Sequence, residues 1–296
     1  MKNKSFVMTK KNEIDQYYVI GNPVKHSLSP IIHRAFAKET NERLSYDALE
    51  IAIDQFDHVM KQIKENPSIK GLSVTVPFKE RAFKLCDSVD DYAKETGAVS
   101  NIIIIEKNKK RAFYGINLDG VSLVLDLKEK GIELKDKSVL ILGAGGAARG
   151  ILLPIYHTQP KSISILNRTE KKAIDLINDF KKNKNNENLK NIKIINNNDK
   201  NNKFDIIINT TSASLNNTIP DFNENFVMTK FGTQNTIGYD MAYLKSGEKT
   251  AFVKYLEQRG CQSFDGQGML LALSKEIFFR WRGIYPESNP LNKRLI

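Results

Sequence analysis

A glycine-rich junction, G-A-G-G-A-A-R-G at residues 143–150, limits the possible folds of this chain more than any other segment. It directly follows the apolar run 138–142 and opens a helical stretch, and the pattern G-x-G-x-x-[G/A] in that setting is typical of Rossmann-type domains. Gly143 is expected to make the tight turn, Gly145 to let a pyrophosphate approach the backbone, and Ala148 to allow close packing of the helix on the strand. A purely structural turn remains an alternative from this segment alone.

The end of the next predicted strand, 163–166, indicates which dinucleotide is bound. NAD-binding proteins usually carry an acidic residue at this strand end, whereas here Asn167, Arg168 and Thr169 follow the strand. A guanidinium group beside a hydroxyl suits a 2′-phosphate, so the sequence predicts NADP, with a solvated basic turn as the alternative. The residues predicted to bind it are Gly143, Ala144, Gly145, Gly146, Ala147, Asn167, Arg168, Thr169 and Lys172.

Short apolar runs alternate with helical stretches along the whole chain, which predicts stacked βα units around a mostly parallel sheet. With 296 residues, two domains are the working expectation. The predicted strands are 17–20, 46–51, 71–76, 102–105, 138–142, 163–166, 192–195, 204–208 and 236–240. The predicted helices are 30–39, 54–65, 78–86, 121–130, 146–156, 169–181 and 269–282.

Composition narrows the possible functions. The formal net charge of +11 raises the possibility of nucleic-acid binding, but the lysine and asparagine run 181–203 lacks the interleaved aromatic residues that stack on bases. The two cysteines, Cys86 and Cys261, have no disulfide or zinc-ligand spacing, so no metal is expected. No apolar run approaches the roughly 18 residues of a membrane span. We therefore expect a soluble, unprocessed cytoplasmic protein that binds neither nucleic acid nor membrane.

Two serines spaced one apart precede a helical stretch that opens with proline, S-L-S-P at residues 27–30. Ser29 is expected to cap the helix, with Pro30 at its first position. Ser27 then has no capping role and leaves a second hydroxyl beside a helix N-terminus, which favours an anion such as a carboxylate. An ordinary cap with a solvated serine is the alternative.

Two further strand-to-helix junctions carry polar residues, and ligands bind at such strand ends in α/β sheets. The segment V-T-V-P-F-K-E at 74–80 places Thr75 at a strand end and Lys79 at a helix start. Asn117 and Asp119 lie where the two halves of the chain join. Neither signal is specific alone, because Lys79 can be solvated and Asp119 can simply be a cap.

Taken in order, eight motifs resemble the shikimate/quinate dehydrogenase family over about residues 17 to 285: N-P-V-x-H-S-x-S-P, V-T-V-P-F-K-E, G-A-V, N-x-D-G, G-A-G-G-A-A-R, N-R-T, Y-D-M-x-Y and D-G-x-G-M-L. The resemblance implies NADP-dependent, reversible reduction of 3-dehydroshikimate to shikimate, in aromatic amino acid biosynthesis through the chorismate pathway. It also implies an N-terminal α/β substrate domain, residues 1–119 plus 265–296, and a Rossmann-type NADP-binding domain, residues 120–264. The oligomeric state is expected to be a monomer or a homodimer.

The same resemblance implies a role for each matching site residue. Lys79 and Asp119 are the implied catalytic pair, which moves the hydroxyl proton as hydride is transferred. Met241 and Gly266 are implied to lie near the nicotinamide. The implied substrate contacts, to a small cyclic hydroxy acid, are Ser27 and Ser29 at the carboxylate, with Thr75, Ser100, Asn101, Asn117 and Tyr243.

Three departures from the family pattern affect the substrate end. The usual G-A-V-N-T reads G-A-V-S-N, with Ser100 and Asn101, while Leu118 and Leu273 stand where polar residues are usual. A buried substrate hydroxyl without a partner costs about 1–3 kcal/mol, so we hypothesise an altered ring end for which shikimate is a poor substrate. The alternative is that both leucines merely pack.

A rival interpretation from another class is a regulatory protein that binds NADP and an acid without turnover. The altered ring contacts favour it slightly. The presence of both Lys79 and Asp119 speaks against it, because a sensor has little need for an acid/base pair.

Overall fold

The computed structural model describes residues 14–25, 27–108, 110–182, 191–195, 203–216, 218–220 and 235–292. Within this part of the chain the strands form two sheets of six strands each. Most of the lysine and asparagine run 181–203 lies outside the described residues, and so does His26 of the N-P-V-x-H-S motif.

The first sheet has the order β2-β1-β3-β5-β6-β4. β1 is parallel to both β2 and β3, whereas β5 is antiparallel to both β3 and β6. The strands are β1 (Asp15–Gly21), β2 (Leu44–Glu50), β3 (Ile69–Val74), β4 (Ser88–Val89), β5 (Asn101–Lys107) and β6 (Lys110–Ile116). The helices of this part of the chain are α1 (Ser29–Thr40), α2 (Phe56–Glu65), α3 (Lys79–Leu85), α4 (Asp91–Thr96) and α5 (Asp119–Glu129).

The hairpin formed by β5 and β6 departs from the expected βα alternation. Its turn lies in a run of charged residues without glycine or proline, so it carries no strong turn signal. Asn108 supplies the turn with a φ of 53°, a conformation that asparagine tolerates better than most residues. Because β3 and β6 are both antiparallel to β5, they run in the same direction, and their C-terminal ends lie at the same edge of the sheet.

The second sheet has the order β12-β11-β10-β7-β8-β9, and all its strand pairs are parallel. Read from β9, this is the doubly wound order of a Rossmann fold, which confirms the predicted fold class. The strands are β7 (Ser138–Leu142), β8 (Ser162–Leu166), β9 (Ile192–Ile194), β10 (Ile206–Asn209), β11 (Ile237–Asp240) and β12 (Gln262–Phe264). The helices are α6 (Gly146–His157), α7 (Glu170–Lys182), α8 (Ala251–Glu257) and α9 (Gln267–Arg282).

The central strand β7 shows why this sheet is buried on both faces. Val139 and Ile141 belong to one apolar cluster, while Leu140 and Leu142 belong to another. Successive side chains of a strand point to opposite faces, so a continuous apolar run requires cover on each side. This packing fixes the strand end at Leu142, from which the glycine-rich turn leaves.

The last helix, α9, packs against both α5 and α1. At its C-terminal end the indole of Trp281 donates to the carbonyl of Ile102 at 3.3 Å, and Arg282 forms ion pairs with Asp15 and Glu42. The helix therefore begins shortly after β12 in the chain and ends against the first sheet.

Candidate active site

A cavity of about 150 Å³ lies where the first sheet, the 241–243 loop and α9 meet. Its size suits a small molecule. Seven residues expected at the substrate line it, and so do the two expected near the nicotinamide, Met241 and Gly266. The seven are Ser27, Ser29, Thr75, Lys79, Ser100, Asp119 and Tyr243.

Lys79 and Asp119 form an ion pair inside this cavity, with 2.5 Å between Nζ and Oδ2. Lys79 is the first residue of α3 and Asp119 the first residue of α5, so two helix N-termini bring the groups together. The Asp119 side chain is 4% exposed and that of Lys79 is 21% exposed. An ammonium group is thus held at the cavity wall by a carboxylate that is almost fully removed from water.

Asn117 is not among the residues that line the cavity. Its Nδ2 donates to Thr96 Oγ1 at 3.2 Å and to the carbonyl of Ala98 at 3.0 Å, while its Oδ1 accepts from the Asp119 backbone amide at 3.1 Å. The side chain therefore turns away from the cavity and fixes the start of α5. In this structure it orients Asp119.

Ser100 stands where the family pattern has asparagine, with an asparagine one place later at Asn101, and the structure gives these two residues different roles. Ser100 lines the cavity, whereas Asn101 is fully buried and does not line it. Asn101 accepts from Ser100 Oγ at 2.9 Å and donates to Ser73 Oγ at 3.0 Å. One residue along a strand reverses the facing of the side chain, so the asparagine has become a support for the cavity wall.

Ser73 lines the cavity, and sequence reasoning missed it. Its Oγ accepts from Asn101 and, at 2.8 Å, from the hydroxyl of Tyr46. Two buried partners therefore hold the Ser73 hydroxyl at the cavity wall. The available signal was its position two residues before Thr75, because alternate residues of a strand face the same side.

The predicted capping arrangement at α1 is wrong. Ser29 is the first helical residue, and the cap position is occupied by Leu28, which makes no side-chain cap. Ser27 Oγ instead accepts from the Ser29 backbone amide at 3.2 Å. The turn at Leu28 brings the first helical residue one position earlier than the proline suggested, and both serines still face the cavity.

The two leucines that depart from the family pattern have different surroundings. Leu118 is 1% exposed and packs with Ile116 and Ile277, away from the cavity lining. Leu273 lines the cavity. The hypothesis of an altered ring end therefore depends on Leu273 and Ser100, because the side chain of Leu118 only packs.

A second cleft lies along the carboxyl ends of β7, β8 and β10, and all nine predicted cofactor residues at the first two strand ends line it. Gly143 has a φ of 109°, which favours glycine, and a Cβ there would lie 2.6 Å from Thr210 Oγ1. At Gly145 and Gly146 a Cβ would meet no atom within 4 Å, so the backbone there faces open space. The N-terminus of α6 thus presents bare amides to the cleft, as a pyrophosphate requires.

The same cleft has a polar wall that sequence reasoning missed, formed by Thr210, Thr211 and Ser212. They follow β10, which is hydrogen-bonded to β7 in the sheet. The sequence predicted the strand. The polar residues N-T-T-S at 209–212 were the signal that could have indicated this wall of the cleft. At the far end of the cleft Arg168, Thr169 and Lys172 are all exposed, which suits the binding of a phosphate from solvent.

A passage joins the cleft to the cavity. Lys79, Asp119 and Met241 line both the passage and the cavity, while Gly146 and Ala147 line both the passage and the cleft. One continuous space therefore extends from Arg168 to the Lys79–Asp119 pair. It has room for an extended dinucleotide whose reactive end meets a small molecule.

Among the described residues no group of His, Cys, Asp and Glu side chains is arranged to hold a metal ion. In the same part of the chain no helix has the length and apolarity needed to cross a bilayer.

A Rossmann-type sheet joined to a second α/β lobe, with a lysine–carboxylate pair where the two meet, defines a class of two-domain α/β oxidoreductases. The chain belongs to the shikimate dehydrogenase family. The family model for the shikimate dehydrogenase substrate binding domain matches residues 19–103, and that for shikimate / quinate 5-dehydrogenase matches residues 126–233.

Individual relatives agree with this family over almost the whole chain. A shikimate dehydrogenase (NADP(+)) from Herminiimonas arsenicoxydans is 38% identical, over 93% of this chain and 94% of the relative. The crystal structure of an Ael1 enzyme from Pseudomonas putida is 33% identical, with a TM-score of 0.80 over 95% of this chain and 98% of that one. Shikimate dehydrogenase from Aquifex aeolicus is 30% identical, with a TM-score of 0.79 over 97% and 99%.

Proposed function

We propose that this protein is an NADP-dependent shikimate dehydrogenase, which reversibly reduces 3-dehydroshikimate to shikimate in aromatic amino acid biosynthesis through the chorismate pathway. The observation that carries the proposal is the Lys79–Asp119 pair, 2.5 Å apart, which lines both the small-molecule cavity and the passage that leads to the dinucleotide cleft. The names of the curated relatives support this substrate over another acid and over a regulatory role.

The pair is proposed to move the proton of the reacting hydroxyl. During reduction the ammonium of Lys79 gives a proton to the carbonyl oxygen as the carbon receives hydride, and the resulting amine regains a proton from solvent. During oxidation Lys79 first releases a proton to solvent, and its amine then accepts the proton of the alcohol as the carbon loses hydride. Asp119 holds the ammonium of Lys79 in place, and Asn117 holds Asp119. The hydroxyl oxygen is thereby placed within reach of both groups.

The carboxylate of the substrate is assigned to Ser27 and Ser29, beside the N-terminus of α1. Thr75, Ser100 and Tyr243 are assigned to the ring, together with Ser73. Hydroxyl donors at one end and the proton-transfer pair at the other fix the orientation of a hydroxy acid between them.

NADP is assigned to the cleft, with Gly143 to Ala147 at the pyrophosphate and Asn167, Arg168, Thr169 and Lys172 at the 2′-phosphate side. When bound, it supplies the hydride donor or acceptor. Met241 and Gly266 are assigned to the nicotinamide end, because they line the cavity beside Asp119.

Initial rates test this proposal with shikimate, quinate and simpler cyclic hydroxy acids, each with NADP and NAD. We expect shikimate with NADP to exceed a kcat/KM of about 10⁴ M⁻¹s⁻¹. A preference for an acid that lacks one ring hydroxyl would instead support the altered ring end at Leu273. No turnover with any of these acids would favour the regulatory alternative.

The variant Lys79→Ala tests the proton-transfer role of Lys79 in the same assay. We expect kcat to fall by about 10²–10⁴-fold, the usual contribution of a positioned acid/base group, while binding of the cofactor is retained. An unchanged kcat would remove Lys79 from the proposed chemistry.

The domain boundaries are proposed at 119/120 and 264/265, since the strands of each sheet fall within one side of these limits and α9 ends on the first sheet. We further propose that the protein acts in the cytoplasm as a monomer or homodimer. The two free cysteines, Cys86 and Cys261, are consistent with a reducing compartment.

A further inference from the structure

Asp240 is a fully buried acidic residue that the proposed mechanism does not use. It ends β11, directly before Met241. Its Oδ1 accepts from Asn209 Nδ2 at 3.0 Å and from the Ala242 backbone amide at 3.1 Å. Its Oδ2 accepts from Ser214 Oγ at 2.5 Å and from Thr250 Oγ1 at 2.6 Å. A buried carboxylate that is held only by neutral donors is costly, so its retention needs a reason.

Asn209 is the partner of Asp240 in the register between β10 and β11. Besides donating to Asp240, it accepts through Oδ1 from the Thr211 amide at 3.0 Å and from the Thr211 hydroxyl at 2.7 Å. Its carbonyl accepts from the Met241 amide at 3.0 Å. The two side chains thus tie together the segments that follow two adjacent strands.

These segments form opposite parts of the proposed cofactor site. Segment 210–214 contributes Thr210 and Thr211 to the dinucleotide cleft, and segment 241–243 contributes Met241 and Tyr243 to the cavity. The carbonyl of Ala242 also accepts from the Gly266 amide at 3.0 Å, just before α9 begins. Segment 241–243 is therefore held by the Ala242 amide on Asp240, by the Met241 amide on Asn209 and by the Gly266 amide on the Ala242 carbonyl.

We propose that Asp240, together with Asn209, is a positioning residue that holds segment 241–243 against segment 210–214 and so sets where the nicotinamide half of the cofactor lies relative to Lys79. This inference rests on the proposed function for the identity of the cofactor. Burial raises the pKa of Asp240, as expected for a carboxyl group whose partners are all neutral.

Two substitutions separate this role from a merely structural one. Asp240→Ala removes all four hydrogen bonds, whereas in Asp240→Asn the amide oxygen still accepts from Ala242 and Asn209, and the hydroxyls of Ser214 and Thr250 rotate to accept from the amide nitrogen. Ser214→Ala is a milder variant that removes the bond from Ser214 Oγ to Asp240 and the longer bond, at 3.3 Å, that this Oγ accepts from Asn209 Nδ2.

Thr236→Val is the matched control. Thr236 is 2% exposed and donates to the Phe204 carbonyl at 3.0 Å, at the opposite ends of the same two strands. The substitution removes one buried hydrogen bond far from the cleft, so any change it causes in ligand binding reflects lost stability alone.

The readout is the ratio of two dissociation constants, for NADPH and for 2′,5′-ADP, which lacks the nicotinamide half. For Asp240→Ala we expect the constant for NADPH to rise about tenfold or more and that for 2′,5′-ADP to change less than about twofold, because only the nicotinamide half loses its placement. Asp240→Asn is expected to restore the ratio, and Thr236→Val to leave it unchanged. If Asp240→Ala does not fold, Ser214→Ala is expected to shift the ratio about threefold in the same direction.

The inference is overturned if Asp240→Ala weakens the binding of NADPH and of 2′,5′-ADP equally, or weakens neither. It is also overturned if Thr236→Val changes the ratio of the two dissociation constants as much as Asp240→Ala does. The ratio needs no turnover. A protein inactive toward shikimate would therefore refute the proposed function while this experiment still decides the role of Asp240.

Discussion

At the scale of single residues, Arg168 carries the prediction of cofactor choice. Its guanidinium is exposed at the end of β8 and lines the cleft with Thr169 and Lys172. Charge-assisted hydrogen bonds to a phosphate are worth about 1.5–3 kcal/mol. Most of the discrimination between NADP and NAD is therefore expected to come from this side chain.

Arg168→Ala is expected to raise KM for NADP by about 10–100-fold, since it removes those bonds, and to leave KM for NAD nearly unchanged. Steady-state kinetics with each cofactor measures both values. Parallel increases for the two cofactors would show that Arg168 supports the fold of the turn and does not contact the 2′-phosphate.

His33 raises a different question, because it is buried and both its ring nitrogens lack hydrogen-bond partners. Its ring stacks on Tyr46 with centroids 4.1 Å apart, and it also contacts Phe36, Phe278 and Trp281. Burial lowers the pKa of His33 to about 3. At pH values between about 3 and 6.5, His33 binds a proton in the unfolded chain but not in the folded chain. The stability of the fold consequently decreases as the pH falls through this window.

His33→Phe removes this proton linkage. Relative to the variant, the wild type is expected to lose about 2–3 kcal/mol of unfolding free energy between pH 7 and pH 4.5, at 1.36 kcal/mol per pKa unit. Denaturant unfolding at the two pH values measures the change, with the exposed His58→Phe as control. A difference that stays constant with pH would contradict the assignment of a neutral, unpaired imidazole.

At the scale of elements, the start of α9 is fixed by a close backbone approach. A Cβ on Gly266 would lie 2.2 Å from the carbonyl oxygen of Met241. The segment that carries Met241 and Tyr243 therefore fits against the helix only if residue 266 has no side chain.

Gly266→Ala is expected to displace segment 241–243 and to lower kcat/KM by about 10–100-fold, because small displacements of positioning groups have effects of this size. The control is Gly283→Ala at the other end of α9, where φ is 75° and a Cβ meets no atom within 4 Å. It strains the helix end without touching the site. Similar losses of activity in both variants would attribute the effect to stability alone.

At the scale of the whole molecule, one chain supplies both sides of the cavity. Ser27 and Lys79 come from the first lobe, and Met241 and Tyr243 come from the second. The named lining residues thus all belong to one chain, and the proposed site is formed from them.

We therefore expect the specific activity per chain to stay constant when the protein is diluted about a thousandfold, across any dissociation of a dimer. Initial rates combined with size-exclusion chromatography at each concentration measure this. A loss of activity in step with dissociation would mean that the site forms only in the dimer.

The local parts of the site followed from the sequence because each depends on a few consecutive residues. The turn at Gly143 and the basic strand end at Arg168 are defined within one strand–turn–helix unit, so their residue types alone indicate a dinucleotide. The apolar run of β7 likewise predicts a buried central strand from its own composition. For the same reason the fold class was predictable.

The tertiary structure decided which side chains face the cavity. Asn101 and Leu118 turn away from it while Ser73 and Leu273 face it, and the hairpin of β5 and β6 makes the first sheet mixed. These outcomes depend on strand register and on partners far along the chain, such as Tyr46 for Ser73. A shift of one residue in the strand register moves a side chain to the other face of the sheet, and the local sequence pattern does not indicate which register forms.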